Sequence, residues 1–454
     1  MRRDRRRVIA GLGALAGGSA LPPLLRAAGD ARVPWRNWSG AQVCLPASRV
    51  APDSEQALAD WLAAGRGTVR PVGAGHSFSA LVPTDDHIVS VDKLSGMICH
   101  DPDTLTADFW AGTRLSAIGD PLLSVGQALE NMSDIDYQTL GGALATSTHG
   151  TGLTMGSMST QVTALRLITP SGEIIDCSRS REPELFLSAC VSLGAYGVIS
   201  RFRLQNRARY KLRERNWLEK TESLLERVED LKTGHRHFEM MPLLHSDYAL
   251  AITADETEDA FTAPPADDDS AFVVLMDKRD QYGRDLPAIR SWLMNLVAGG
   301  VEFEDRVGWS HRILANVRNV RWNEMEYQVP AEAGPACLRE ILRTVHEKRP
   351  HAWFPLEYRY VRGDDLYLSP FHDRDACSIS VHQSWDLDYH HYFGEIEKIF
   401  WKYDGRPHWG KLHTLNHRAL STMYPYWDTA MAARERVDPD GRMLNGHLRS
   451  LFGL

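Results

Sequence analysis

Three charged side chains in the second half of the sequence are of types that could bind and activate a small polar molecule. Glu357 and Arg359 are separated by one residue on a predicted strand, and the alternation of a strand places both on one face. Such a pair is usually a structural ion pair. Lys411, which ends the sequence His-Trp-Gly-Lys, could supply positive charge to a developing anion.

A histidine stands in a tight turn of small residues, Gly73-Ala74-Gly75-His76-Ser77. Glycines one residue apart let the backbone bend sharply and let a phosphate approach its N–H groups. The turn is not a dinucleotide-binding fingerprint, because Phe78 stands where the third glycine would be. Taken alone, a glycine-rich stretch of this kind is more often only a turn.

A second stretch of small residues runs from Asp136 to Gly152 and is rich in glycine, alanine, serine and threonine. Because it has few large side chains, it cannot build a core of its own. We therefore expect it to wrap around a large, flat molecule.

Together, the two stretches resemble the two FAD-binding segments of the vanillyl-alcohol-oxidase flavoprotein superfamily. Within it they look most like the sugar-1,4-lactone oxidases and alditol oxidases. The resemblance implies an α+β fold, with a two-part FAD-binding domain of the vanillyl-alcohol-oxidase (PCMH) type and an α+β substrate, or cap, domain. It implies an FAD domain at 33–207, a substrate domain at 208–403, and a C-terminal segment at 404–454 that returns to the FAD domain.

The resemblance also implies which residues bind FAD. The histidine of the first segment, His76, corresponds to the one that is joined covalently to the 8α-methyl group of the flavin. The other predicted cofactor residues are Val72, Gly73, Ala74, Gly75, Ser77, Phe78, Gly141, Gly142, Thr146, Ser147, His149, Gly150, Thr151, Val198, Ile199 and Lys411.

The same resemblance assigns the chemistry. Glu357, Arg359 and Lys411 are predicted to be catalytic, and His382 is predicted to orient the substrate. Alditol oxidases carry a serine that can touch a substrate hydroxyl where this chain has Ala143. That difference shifts the prediction from an open-chain alditol toward a lactone.

The implied reaction is the oxidation of a sugar-derived alcohol, in particular an aldono-1,4-lactone, by hydride transfer to flavin N5. Gly141 and Gly142 would leave a path for O2, which would be reduced to hydrogen peroxide. The alternatives are an alditol oxidase, a dehydrogenase that passes electrons to a cytochrome or quinone, and an inactive sugar- or flavin-binding protein. The intact catalytic residues argue against the last of these.

Composition sets wider limits. With 454 residues, 43% of them hydrophobic, the chain can form two or three domains with real cores. The net charge of −8 makes nucleic acid an improbable partner. None of the six cysteines is spaced as C-x-x-C, and we predict no metal site. The oligomeric state and any disulfide pairing stay open.

The first 30 residues have the pattern of an export signal. Arginines at positions 2, 3 and 5 to 7 precede an apolar, glycine-rich run and then a zone of small residues. Paired arginines favour the twin-arginine route, which carries folded proteins to the periplasm or the cell exterior. The alternative is an uncleaved N-terminal membrane anchor.

Periodicity predicts several elements of the fold. We expect a helix at Glu55–Ala64 capped by Ser54, helices at 115–125, 182–192 and 221–232, and a strand at Val162–Ile168. Further strands are expected at 248–253 and 271–276, and an acidic loop at 255–270. Glu324, Glu326 and Tyr327 are predicted to support the core of the substrate domain without a catalytic role.

Overall fold

The first part of the chain forms small sheets around a five-stranded antiparallel sheet. The computed structural model describes residues 32–262, 305–316, 320–349 and 352–454, and residues 33–454 form one unit. The predicted signal at 1–30, the strand at 271–276 and the end of the acidic loop lie outside the described residues. Among the helices that the structure describes, none has the length and apolar character needed to cross a membrane.

The strands of this part are β1 (Trp35–Arg36), β2 (Val43–Cys44), β3 (Ser48–Val50), β4 (Val69–Val72), β5 (His87–Ser90), β6 (Met97–Asp101), β7 (Thr106–Trp110), β8 (Gln127–Ala128), β9 (Val162–Ile168), β10 (Ile174–Ser178), β11 (Val198–Gln205) and β12 (Arg207–Ala208). Its helices are α1 (Glu55–Ala64), α2 (Gly119–Ser124), α3 (Leu140–Ala145) and α4 (Pro183–Ala189). The five-stranded sheet has the order β10-β9-β11-β7-β6, and β3, β5 and β4 form a parallel sheet.

The next part is an eight-stranded antiparallel sheet with helices on it, in the order β16-β13-β15-β14-β18-β19-β17-β20. Its strands are β13 (Lys211–Lys220), β14 (His237–Pro242), β15 (Tyr248–Glu256), β16 (Asp305–Trp309), β17 (Trp322–Pro330), β18 (Glu357–Val361), β19 (Ala376–Ser384) and β20 (Arg406–Pro407). The helices are α5 (Thr221–Glu226), α6 (Val228–Gly234), α7 (Ser310–Leu314), α8 (Gly334–Lys348) and α9 (His390–Lys402), and then α10 (His417–Met423), α11 (Trp427–Val437) and α12 (Gly446–Phe452).

Local sequence accounts for several of these elements. Helix α1 spans the predicted residues, and Ser54 Oγ accepts a hydrogen bond from the backbone N–H of Ala57 at 3.2 Å. Strand β9 also has its predicted bounds.

Three predictions were wrong in extent. The helix predicted at 115–125 is a 3₁₀ turn, Leu115–Ala117, followed by α2, and the helix predicted at 221–232 is divided at Arg227 into α5 and α6. The acidic loop begins later than predicted. Asp255 and Glu256 still belong to β15, because their backbones pair with Arg213 and Leu212 of β13.

The two small-residue segments touch each other at Gly73. Thr139 caps α3 by accepting a hydrogen bond from the N–H of Gly142, and its Oγ1 lies against Gly73. A Cβ atom at position 73 would stand 2.0 Å from that oxygen. The first glycine of the turn is therefore required by the packing of the second segment.

The C-terminal helices pack into the core of the first part. Trp427, Leu448 and Phe452 are buried in the same cluster as Phe109 of β7. The loop before α12 also joins the edge of the parallel sheet, because the N–H of Val69 donates to the carbonyl of Arg442 at 2.8 Å. The chain thus closes back on its own beginning.

We predict that Gly73→Ala lowers the melting temperature and weakens FAD retention, because the new methyl group would separate Thr139 from the turn. Gly394→Ala is the matched control, since nothing lies within 4 Å of a Cβ built there in α9. It should stabilise the protein by about 0.5–1 kcal/mol. Thermal denaturation of both variants measures the difference, and equal melting temperatures would contradict the prediction.

Candidate active site

A long cleft crosses the first part of the molecule. It has a volume of about 930 Å³ and is lined by both small-residue segments and by the backbone around β11. The predicted cofactor residues that line it are Val72, Gly73, Ala74, Gly75, His76, Ser77, Gly141, Gly142, Thr146, Val198 and Ile199.

A polar pocket of about 670 Å³ adjoins the long cleft. Its lining includes Trp38, Phe78, Asp134, His149, Trp322, Glu324, Glu326, Glu357, Arg359, His408 and Lys411. His76, Ser77, Gln138 and Thr146 belong to both linings, so the two spaces share a wall. The structure therefore brings the three predicted catalytic residues together beside the cleft.

Backbone pairing places these charged side chains. Glu324 and Glu326 are two positions apart on β17, and so share one face of it. Glu357 and Arg359 are spaced in the same way on β18. The segment that carries Lys411 continues along β17, because the N–H groups of residues 408 and 412 donate to the carbonyls of Glu326 and Glu324. The geometry of these strands therefore directs the four side chains and Lys411 toward one pocket.

Lys411, with 19% of its side chain exposed, forms an ion pair in the pocket. Its Nζ lies 2.5 Å from Glu324 Oε1 and 3.7 Å from Glu326 Oε2. Burial alone would lower the pKa of Lys411, but the two carboxylates outweigh it and raise the pKa above its ordinary value. The same attraction lowers the pKa of Glu324 despite its burial. The pocket therefore holds a permanently protonated lysine.

Glu326 is the most heavily bonded carboxylate of the pocket. It accepts hydrogen bonds from His149 Nε2 (2.7 Å), Gln328 Nε2 (2.6 Å), Ser378 Oγ (3.0 Å) and Ser380 Oγ (3.0 Å). Burial would raise the pKa of Glu326, but His149 and other neighbours hold it well below the ordinary value. His149 thereby ties the second small-residue segment to the eight-stranded sheet.

Glu357 and Arg359 form an ion pair at the pocket wall, through Oε2 of the carboxylate and Nη2 of the guanidinium. Burial would lower the pKa of Arg359, but the surrounding carboxylates, Glu357 first, raise it. Arg359 is therefore charged at neutral pH. A carboxylate and a guanidinium side by side can hold a pair of hydroxyl groups, one as acceptor and one as donor.

His76 lies between the cleft and the pocket. Its ring stacks on Trp38, with 4.9 Å between the ring centroids, and it forms no hydrogen bond with another described residue. Burial, with the positive charges of Lys411 and Arg114, lowers the pKa of His76 from 6.5 to about 4. The imidazole is therefore neutral at physiological pH, and its nitrogen atoms are available to a ligand.

The long cleft fits FAD. Among the described residues, the backbone N–H groups from Ala74 to Ser77 find no protein acceptor. Gly75 has a φ of +71°, which lets successive N–H groups turn toward one concavity. Such a set of N–H groups suits a pyrophosphate, and the cleft volume of about 930 Å³ leaves room for a dinucleotide. These residues would hold FAD, with its reactive ring near His76.

Five predicted contacts need correction. Ala143 lies on the core side of α3 and is fully buried, so it cannot bind substrate. Ser147 points to Ser369, outside both cavities. Gly150 and Thr151 do not line the cleft. Gly150 lies against Met132 and Asn131, and Thr151 Oγ1 donates to the carbonyl of Phe238 in β14.

The fifth correction concerns His382, which does not line the pocket. It lies behind Glu324, with 3.5 Å from its Nε2 to Glu324 Oε1 and 2.9 Å from its Nδ1 to the carbonyl of Pro355. Burial would lower the pKa of His382, but Glu324 raises it. His382 therefore positions Glu324.

Sequence reasoning missed the roles of Glu324 and Glu326, which it assigned to the core. Their signal was present, because two acids that are two positions apart on a strand must share one face. Without a position for Lys411, nothing in the sequence identified their partner.

Among the described residues, two clusters bring three metal-ligating groups together: His149 with Glu326 and His408, and Glu324 with Glu357 and His382. Glu326 already accepts several hydrogen bonds, and Nδ1 of His408 accepts the N–H of Gly410 at 3.0 Å. Glu324 is paired with Lys411. The carboxylates are satisfied by protein groups, and we assign no metal to them.

Comparison with known proteins decides the family. The family profile described as D-arabinono-1,4-lactone oxidase matches residues 202–451, and an FAD-binding domain profile matches residues 46–178. This chain belongs to the sugar-lactone oxidase family. The predicted resemblance is confirmed, and the chain is an FAD-dependent oxidoreductase.

Two relatives extend over nearly the whole chain. The L-gulono-1,4-lactone dehydrogenase of Mycobacterium tuberculosis is 35% identical, over 92% of this chain and 99% of that protein. The L-gulonolactone oxidase of Bos taurus is 29% identical, over 92% of this chain and 98% of that protein.

The fold is shared more widely. The crystal structure of cholesterol oxidase from B. sterolicum matches with a TM-score of 0.77, at 16% identity, over 96% of this chain and 100% of that chain. The predicted α+β fold, with its FAD-binding domain of the vanillyl-alcohol-oxidase type, is confirmed.

We predict that Lys411→Met lowers the free energy of unfolding by about 3–5 kcal/mol, because it leaves the buried Glu324 without its partner. The double variant with Glu324→Gln should recover part of that loss. Lys402→Met, which breaks an exposed pair with Glu340, is the control and should change little. Urea denaturation gives the three values, and an undiminished loss in the double variant would contradict the coupling.

Proposed function

We propose that this sugar-lactone oxidase family member oxidises an aldono-1,4-lactone and passes the electrons to O2. The observation that carries the proposal is the convergence of Glu357, Arg359 and Lys411 on a pocket that shares the wall around His76 with the long cleft. Bound FAD would supply the hydride acceptor for the carbinol carbon.

The side chains of the pocket would divide the remaining work. Glu357 and Arg359 hold vicinal hydroxyl groups and so fix which carbon faces the cleft. Lys411, which stays protonated beside Glu324, supplies the positive charge that favours ionisation of a nearby hydroxyl. Trp38 and Trp322, whose ring centroids are 4.9 Å apart, offer an apolar wall for the C–H face of a sugar ring.

The substrate class rests on the family and on this polar, aromatic pocket. Ala143 does not distinguish lactones from alditols, because its side chain faces the core and cannot contact either substrate. The preference for a lactone therefore rests on the relatives, both of which are named for L-gulonolactone chemistry.

A stopped-flow experiment tests the proposal. Anaerobic mixing with five- and six-carbon aldono-1,4-lactones should bleach the flavin absorbance of the wild type. Arg359→Lys keeps the charge but loses the fork of donors, and the reduction rate should fall by roughly 10²–10³-fold. If alditols reduce the flavin and lactones do not, the proposed substrate class is wrong.

The electron acceptor has a second candidate, because the 35% identical relative is named a dehydrogenase. We favour O2, since Gly141 and Gly142 leave the cleft wall without side chains. A Cβ at position 142 would meet only Thr139 Oγ1, at 3.1 Å, so Gly142→Ala should fold.

We predict that the lactone-reduced wild type is rapidly reoxidised by O2 with stoichiometric peroxide, and that Gly142→Ala slows this step without slowing reduction. Mixing the reduced enzyme with oxygenated buffer measures both. Slow reoxidation of the wild type, with fast transfer to an artificial acceptor, would make the protein a dehydrogenase.

We further propose that His76 carries the flavin covalently, since its unbonded ring faces the cleft. The flavin colour should stay with the acid-precipitated wild type and leave His76→Ala. Because the pKa of His76 is about 4, its ring is neutral above that pH. Attachment of FAD to the apoprotein should therefore not fall off near pH 6.5, where an ordinary histidine becomes protonated. Release of the wild-type flavin into the supernatant would exclude the bond.

Export is proposed from the N-terminal sequence alone. The paired arginines at 6 and 7 and the small residues near Ala31 suggest cleavage after transport by the twin-arginine machinery. N-terminal sequencing of the purified native protein tests this, and an intact Met1 in a washed membrane fraction would favour the anchor instead.

A further inference from the structure

A second polar space, the rear cavity, lies behind Arg359. It has a volume of about 410 Å³. Its polar lining residues are Asp134, Thr151, His237, Glu239, Asn316 and Arg359. Asp134 and Arg359 also line the polar pocket, so these two residues lie between the two spaces.

Strand register puts an unused carboxyl group directly beside Arg359. Glu239 of β14 and Arg359 of β18 are paired residues of neighbouring antiparallel strands, so their side chains lie on one face. Glu239 forms no hydrogen bond or ion pair with another described residue, and part of its surface stays accessible. The guanidinium is paired with Glu357 instead.

The rear cavity has unsatisfied hydrogen-bonding groups. Nε2 of His237 and Nε of Arg359 are buried and find no partner among the described residues. His237 is 2% exposed, and its other ring nitrogen is bonded to the carbonyl of Thr151 at 2.9 Å. A polar cavity with such groups is suited to hold ordered water.

Oxidation of an alcohol releases a proton as well as a hydride, and the polar pocket offers it few acceptors. Lys411 is already protonated, and Glu324 is held by that lysine. Glu326 has its oxygens filled by hydrogen bonds. Glu357 is neutralised by Arg359, so a proton placed there would break the pair that holds the substrate.

We propose that the hydroxyl proton of the substrate leaves the active site through the rear cavity, with Glu239 as its carrier. This rests on the proposed alcohol oxidation. The O–H and C–H bonds of the carbinol break, and the O–H electron pair forms the second bond of the carbonyl. The C–H electron pair leaves with the hydride, for which bound FAD would be the acceptor. The proton crosses water beside Asp134 and Arg359 to the Glu239 carboxylate, which becomes an acid and later releases the proton to solvent.

The electrostatic surroundings of Glu239 suit a carrier. Burial raises its pKa to about 8, opposed by the positive charge of Arg359 and aided by three carboxylates. Those carboxylates are Asp134, Glu357 and Glu214. His237, the remaining titratable lining group, has its pKa lowered by burial to about 4 and is neutral. A group that titrates near the working pH can both accept and release a proton.

The test compares Glu239→Gln with Glu239→Asp and with Glu258→Gln, whose carboxylate is fully exposed. Stopped-flow flavin reduction by a lactone or polyol is recorded across pH. In the wild type the rate should rise as pH passes about 8, because the carboxylate is the acceptor. Glu239→Gln should be slower by roughly tenfold or more and lose that rise. Added imidazole should restore its rate, and Glu239→Asp should keep part of it.

An infrared titration needs no turnover. The C=O stretch of a protonated carboxyl group should disappear near pH 8 in the wild type and be missing in Glu239→Gln. Reduction of Glu239→Gln at the wild-type rate with an unchanged pH profile, or an infrared spectrum that the substitution does not alter, would overturn the proposal. A wild type that no lactone or polyol reduces would instead contradict the proposed function.

Discussion

The buried guanidinium of Arg70 holds the walls of the long cleft together. It donates to the carbonyls of Leu81, Leu193, Gly194 and Met443, which belong to segments far apart in the sequence. Burial lowers the pKa of Arg70 to about 9, so the group is still charged at neutral pH. A buried carbonyl that loses its donor costs free energy, so this one cation stabilises the walls of the long cleft.

A second set of hydrogen bonds fixes the long cleft relative to the polar pocket. The N–H of Phe78 donates to the carbonyl of Gly410 at 2.7 Å, and Ser79 Oγ donates to the carbonyl of Trp409 at 2.7 Å. The loop with His76 is thus bonded directly to the turn with Lys411. A ring held by the first and a substrate held beside the second would meet at a fixed distance, which is the requirement of hydride transfer.

The sequence alone was sufficient where local chemistry decides the outcome. Ser54, followed by apolar residues at helical spacing, defined α1. The two small-residue segments indicated one large ligand without any knowledge of the contact between Gly73 and Thr139. It was insufficient where a partner comes from far along the chain. Ala143 was misassigned because nothing local says which face of α3 meets the core. Glu324, Glu326 and His382 were misread because their roles depend on Lys411, which lies elsewhere in the sequence.

The bond between Arg70 and Met443 also bears on how the protein is made. The two residues are 373 positions apart. The first part of the chain therefore leaves the ribosome long before the segment that completes the long cleft has been synthesised. Asn445, whose side chain bonds the carbonyls of Ala80 and Pro83, arrives equally late. A nascent chain therefore offers an open, unfinished groove. We therefore expect the cleft to be complete only after translation has finished, and a chain truncated before this segment to bind FAD weakly.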